Sequence, residues 1–152
     1  MSYLFSLVTK EFNAQCPETI NCSKWNVSNV ENMSYMFFDF RKFNSDLSKW
    51  DVHKVEDMSW MFAGCIKFDQ YLNIWNVANV KDMKYMFWNC KEYNQDMSAW
   101  DIRNVTNFCN MFQNCQKLDV NLEQWSGKIN SNAKMDNMFF KSNTKIPSWY
   151  LK

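Results

Sequence analysis

Residues able to do chemistry are scarce in this 152-residue chain, and few of them are held together. His53 is the single histidine. Its place, counted by the chain's own repeat, is otherwise filled by Ser28, Ala78 and Arg103, so no nucleophile or second base recurs beside it. With only Gly64 and Gly127 present, there is no glycine-rich phosphate loop. Six cysteines occur without any CxxC pair, which argues against zinc. Cys65, Cys90 and Cys115 recur at a spacing of 25, while Cys16, Cys22 and Cys109 are scattered. Column mates one strand spacing apart, roughly 5 Å, are within reach of a disulfide. The competing reading is a ladder of small buried side chains. Asp46, Asp69, Asp96 and Asp119, with Asn44, Asn94 and Asn121, offer oxygen ligands of the calcium type. Amides dilute the carboxylates, however, and such rows more often make hydrogen-bonded turns. The expectation is no catalytic residue, no metal, no cofactor and no enzyme activity.

What could position a surface, as opposed to a catalytic centre, is a repeat. Trp25, Trp50, Trp75, Trp100 and Trp125 are each 25 residues apart. A fixed period of this size marks units that bury their apolar faces only against neighbours. The expected division is a single domain, 1–152, with a degenerate first copy at 1–24. Full copies follow at 25–49, 50–74, 75–99 and 100–124, then a degenerate last copy and C-terminal end at 125–152. Met1-Ser2-Tyr3-Leu4-Phe5 matches Met33-Ser34-Tyr35-Met36-Phe37 almost letter for letter, and the last copy gains two residues, placing Met135, Met138 and Phe139.

Within a copy, Met33, Met36, Phe37 and Phe40 follow the i, i+3, i+4, i+7 spacing of one helical face. The same spacing recurs at Met58, Met61, Phe62 and Cys65, at Met83, Met86, Phe87 and Cys90, and at Phe108, Met111, Phe112 and Cys115. Asp39, Gly64, Asn89 and Asn114 then share a column, as a left-handed helix C-cap requires. Short strands are expected near Phe43-Asn44 and near Trp50-Asp51-Val52. The predicted fold is therefore an α/β repeat: a leucine-rich-repeat-like solenoid of about six rungs of short helix plus short strands.

The tryptophan column is expected in the core, since each Trp is followed two residues later by Val or Ile and an open row of indoles would aggregate. A second aromatic column, Tyr3, Tyr35, Trp60 and Tyr85, lies two residues beyond the first Met of each predicted helix. That is about 200° around from the buried face. With Phe38 and Trp88 beside it, this column makes an outer apolar stripe that stops at Asn110 and Gln113, and stripes of this kind mark contact surfaces. The competing reading tucks these rings between rungs. Arg41, Lys42, Lys67, Lys91 and Lys117 form a basic row interrupted by Ile66 and Glu92.

Net charge is +1 and no apolar run approaches the ~18–20 residues of a membrane span. The expectation is no nucleic-acid partner and no membrane span. Sequons at Asn21, Asn26, Asn32 and Asn104 are ordinary for a chain with 20 Asn.

The pattern Trp75-Asn76-Val77, Asn79-Val80, Met83, Met86-Phe87, Cys90, Tyr93-Asn94, Asp96-Met97-Ser98 resembles the BspA-like surface-protein repeat, a variant leucine-rich repeat of mycoplasma lipoproteins, protists and large DNA viruses. The resemblance covers essentially the whole chain. It implies a non-catalytic protein-interaction or scaffold role, either within a larger assembly such as a virion or as a cell-surface adhesion or ligand-recognition module. A carbohydrate-binding platform is a third reading. Partners would be another protein or the subunits of an assembly, with end-to-end stacking where rungs are left open. An intracellular or assembled setting is slightly preferred to the cell surface, because the start lacks a leader.

Overall fold

The computed structural model describes residues 20–151. The expected first copy, Tyr3 and Cys16 included, lies outside the described residues. Successive 25-residue units stack in register. Isolated parallel bridges join Asn32 to Asp57, Asp57 to Asp82, Asp82 to Asn107, and Asn107 to Lys134 across the two-residue insertion.

Each unit is a run of tight turns. In the unit around Trp50, backbone N–H groups close onto the carbonyl three residues earlier at Leu47 and Trp50 (3.0 Å), Val52 and Val55 (2.9 Å), and Met58 and Met61 (3.2 Å). The turns continue at Phe62 and Cys65 (2.9 Å) and at Cys65 and Phe68 (3.1 Å). Every one of these corner residues is buried. The chain therefore folds as a polygon whose corners point inward.

The expected α/β repeat, a leucine-rich-repeat-like solenoid of helix plus strand rungs, is not what forms. Among the described residues the helical structure is one 3-10 helix, Glu123–Trp125, and extended pairing is confined to the isolated bridges. The reason lies in the backbone. Tyr35, Trp60, Tyr85, Asn110 and Asn137 hold φ between 54° and 60°, and four residues later Asp39, Gly64, Asn89, Asn114 and Lys141 are also left-handed. Two left-handed residues in five cannot belong to an α-helix. In turns such as 58–61 and 62–65 the third residue has positive φ, as in a type II turn. Two such turns in tandem put their four end residues at i, i+3, i+4 and i+7. That spacing is the one an amphipathic helix shows. The left-handed column at Asp39 and Gly64 is real, but it caps no helix.

Between turns, alternate N–H groups leave the unit. Met58, Trp60, Phe62 and Gly64 donate to the carbonyls of Asp82 (3.0 Å), Lys84 (3.0 Å), Met86 (3.0 Å) and Trp88 (2.8 Å). The expected strand around Asn44 is replaced by side chains. Asn44 Oδ1 accepts the Asp69 N–H (2.9 Å), Asp69 Oδ1 the Asn94 N–H (2.9 Å), and Asn94 Oδ1 the Asp119 N–H (2.7 Å). These side chains satisfy backbone donors at the surface, as Asn and Asp do in turns.

Aromatic columns fill the interior. Phe37, Phe62, Phe87, Phe112 and Phe139 stack from unit to unit at 5.6–5.8 Å. A second column, Phe43, Phe68 and Tyr93, runs against the first and stacks on it at 4.0–4.3 Å. The tryptophans line a third side. Trp50, Trp75, Trp100 and Trp125 are buried and Trp25 is half-buried. Each indole N–H donates to a carbonyl of the preceding unit: Trp50 to Cys22, Trp75 to Leu47, Trp100 to Leu72 and Trp125 to Met97, at 2.9–3.1 Å. Trp149 repeats the contact on Leu122 (2.9 Å) and stacks on Trp125 at 6.3 Å. It is the column's sixth member, 24 residues on, and the signal was there in the sequence.

Candidate functional site

The third residue of a type II turn sits at the turn's tip, away from the end residues that enter the core. Tyr35, Trp60 and Tyr85 occupy that tip in three successive units, and the stacking of units lays their rings on one another. Tyr35 stacks on Trp60 at 5.6 Å and 8°, and Trp60 on Tyr85 at 4.0 Å and 14°. All three are partly exposed. Phe38 meets Tyr35 and Trp60 edge-on, each at 5.7 Å, and Trp88 reaches Trp60 at 6.2 Å. Between Phe38 and Trp88 their shared column holds Ala63, fully buried. Both large rings thus converge over Trp60, where the small residue leaves room. Gly64 beside it is closely packed: a Cβ there would lie 3.1 Å from the Asp39 Cα.

The five rings are one continuous, partly exposed cluster. The column ends where Asn110, 9% exposed, follows Tyr85. Asn110 and Asn137 also show what the backbone prefers. Asn tolerates φ near +57°, whereas an aromatic residue there costs about 1–2 kcal/mol. Three consecutive units carry the costlier residue type, and ring stacking at ~0.5–1.5 kcal/mol per pair offsets it.

Other predicted groups are dispersed. His53 pairs through Nδ1 with Asp51 Oδ1 at 2.7 Å on the surface, and the imidazole depresses that carboxyl's pKa. Cys22, Cys65, Cys90, Cys109 and Cys115 are free thiols. Cys65, Cys90 and Cys115 donate to the carbonyls of Phe37, Phe62 and Phe87 at 3.0 Å, and burial pushes their pKa values well up. The acidic row serves turns and ladders, and among the described residues no cluster of three His, Cys, Asp or Glu fits a metal. In the basic row, Glu92 is shared by Lys67 (3.8 Å) and Lys117, and Lys117 lowers its pKa. Among the described residues no helix is long and apolar enough to cross a membrane.

Sequence reasoning did not single out three of the well-exposed apolar groups. Tyr71 (48% exposed) and Ile74 (58%) project from the acidic-row segment, and Phe140 (51%) extends the column of Phe38 and Trp88, with Lys141 Nζ 5.3 Å from its centre. Their signal was the odd residue in a polar column: Tyr71 among Asp46, Asp96 and Asn121, and Ile74 among Lys49, Ala99 and Gln124.

No curated protein and no solved structure matches the chain. A family model does, in two overlapping windows, residues 1–125 and 49–149, as a repeat allows one model to be laid down at two registers. The match is to neither a leucine-rich-repeat nor a BspA family model. The turn-built, tryptophan-paced chain belongs to the family described as Mycoplasma protein of unknown function, DUF285.

Proposed function

We propose that this chain is a non-catalytic protein-interaction module, a scaffold element whose contact face is the aromatic cluster of Tyr35, Phe38, Trp60, Tyr85 and Trp88. The carrying observation is that this cluster is stacked, continuous and partly exposed while its backbone is held at a φ that Asn tolerates better. Residues kept in a sparsely populated conformation gather where function or packing demands them. Aromatic anchors of this kind dominate protein–protein contacts. The stacking also favours protein over sugar as the occupant. A sugar platform needs free ring faces, and the facing sides of Tyr35, Trp60 and Tyr85 cover one another.

The fourth unit supplies the test variants, since it carries Asn110 and Gln113 in these two columns. Trp60→Asn and Trp88→Gln should fold, judged by unchanged thermal unfolding profiles. Proteins held by the immobilised wild-type chain from its own source cells should lose at least tenfold in affinity, ~1.4 kcal/mol. A Tyr71→Ser, Ile74→Lys control should retain them. Partners bound equally by folded Trp60 and Trp88 variants would overturn the reading.

A further inference from the structure

The indole N–H groups divide into two sets. In the core, those of Trp50, Trp75, Trp100, Trp125 and Trp149 each donate to a carbonyl of the preceding unit. Those of Trp60 and Trp88 have no acceptor among the described residues, and the hydroxyls of Tyr35 and Tyr85 have none either. None of these four polar atoms is buried without a partner, so each opens to solvent. The aromatic cluster therefore carries four uncommitted donors.

Apart from the two hydroxyl oxygens, the acceptors on this surface are spent. The carbonyls of Tyr35, Trp60 and Tyr85 close their turns on the N–H groups of Phe38 (3.2 Å), Ala63 (3.2 Å) and Trp88 (3.0 Å), and that of Trp88 accepts from Gly64 (2.8 Å). Along the borders, Asp39 Oδ1 takes the Arg41 Nε–H (3.1 Å) and Asn89 Oδ1 the Asn114 amide (2.7 Å). Asp57 and Asp82 accept from the backbone N–H groups of Ser59 and Lys84, both at 2.8 Å. They also accept from the side-chain amides of Asn32 (3.3 Å) and Asn107 (3.2 Å). The rings add to the imbalance, since an aromatic ring is negative on its faces and positive at its edge. Tyr35 and Tyr85 cover the two faces of Trp60, so what Trp60 turns outward is edge. The surface is apolar, edged with partial positive charge, and rich in unmet donors.

We propose that the occupant of this face is a proline-rich segment of a partner protein, extended in the polyproline II conformation. The inference deepens the reading of the cluster as a contact face and rests on it. The choice follows from electrostatic complementarity. A β-strand brings as many N–H groups as carbonyls, and its donors would meet donors here. An α-helix has already bonded its carbonyls internally. Proline has no N–H, and polyproline II leaves every carbonyl free to accept. Its pyrrolidine rings supply the apolar surface that packs into an aromatic-lined site. The indole N–H groups of Trp60 and Trp88 and the hydroxyls of Tyr35 and Tyr85 then donate to carbonyls of the segment. The prolines of this chain, Pro17 and Pro147, are isolated, so the segment is not among its 152 residues.

A synthetic peptide of Pro-Pro-Gln repeats is the probe, with Ala-Ala-Gln and Gly-Gly-Gln repeats of equal length for comparison. Calorimetric titration into the full chain should show the proline peptide bound at least tenfold more tightly than either. In nitrogen–proton spectra the indole resonances of Trp60 and Trp88 should shift, while those of Trp75 and Trp100 stay in place. Tyr35→Phe and Tyr85→Phe keep the ring stack, remove one donor each and should weaken the peptide about 2–10-fold. Trp60→Asn or Trp88→Gln, with an unchanged unfolding profile, should weaken it at least tenfold. Equal affinity for the alanine peptide, or binding that leaves the Trp60 and Trp88 resonances unmoved, would overturn the proposal. The two readings also fail separately. If cellular partners need Trp60 and Trp88 but the proline peptide does not bind, this inference falls and the contact face stands. If partners and peptide alike ignore both substitutions, the contact face falls with it.

Discussion

Tyr93 carries the one tyrosine hydroxyl that is buried without a hydrogen-bond partner among the described residues. Its ring has a clear structural job. It stacks on Phe68 at 5.7 Å and 6°, and on Phe87 at 4.3 Å and 15°. Phe43 and Phe68 hold the same place in earlier units, so the position accepts a plain phenyl ring. Burial raises the phenol's pKa well above its ordinary value, hence the group is a neutral hydroxyl throughout the working pH range. An unpaired buried hydroxyl costs about 1–3 kcal/mol. Tyr93→Phe removes that cost and leaves a void of about one oxygen atom, ~0.3 kcal/mol at ~24 cal/mol per Å³. The substitution should therefore stabilise the chain by about 1 kcal/mol and raise Tm by ~2–4 °C. Guanidinium unfolding at constant m measures it directly. Tyr93→Leu, which copies Leu118 of the next unit, is the control. It loses both ring stacks and should destabilise by about 1–3 kcal/mol. If Tyr93→Phe were instead destabilising by about 1 kcal/mol, the hydroxyl must have a partner, and the account of this column as purely apolar fails.

The two glycines should respond differently to alanine. Gly64→Ala must fit a Cβ 3.0–3.1 Å from Asp39 atoms at φ +81°, and should lose about 2–3 kcal/mol in thermal or chemical unfolding. Gly127→Ala meets nothing within 4 Å and pays only for φ +79°, about 1 kcal/mol; equal losses would show that the packing of Gly64 on Asp39 is irrelevant. The buried thiols should make stability fall in base. Burial raises Cys22 to about 11, and raises Cys65, Cys90 and Cys115 above the ordinary 9.0. A raised native pKa means the unfolded chain loses these protons first. The stabilisation is complete below pH 9 and declines from there through the native values, about 11 for Cys22. Guanidinium midpoints should drop across that window and drop less in Cys65→Ala, while a native-state thiol reagent should leave Cys65, Cys90 and Cys115 unmodified. Midpoints that stay flat across the window would refute this.

The unit length, the buried columns and the outer aromatic row were legible as residue types at a fixed spacing. Secondary structure was not, because Met58, Met61, Phe62 and Cys65 have the same separations whether they line a helix face or end two consecutive turns. The discriminating residues were Asn110 and Asn137. Asn in the column of Tyr35, Trp60 and Tyr85 signals a left-handed position four residues before the one marked by Gly64 and Asn89, and two such positions rule out a helix. Trp60 points outward for a reason different from the helical one: it is a turn tip, not the far side of a cylinder.

The same turns make the joint between units a matter of backbone hydrogen bonds more than a helical repeat would suggest. A helix satisfies its own N–H groups, so a helical rung at the end of a stack offers side chains and little backbone. Here each junction consumes four N–H groups of one unit, from Met33, Tyr35, Phe37 and Asp39 through to Phe108, Asn110, Phe112 and Asn114. The corresponding N–H groups of Met135, Asn137, Phe139 and Lys141 have no partner among the described residues. Asparagine at position 137 and lysine at 141 keep that edge polar and solvated. Trp149 and Tyr150 cover the apolar columns beside it.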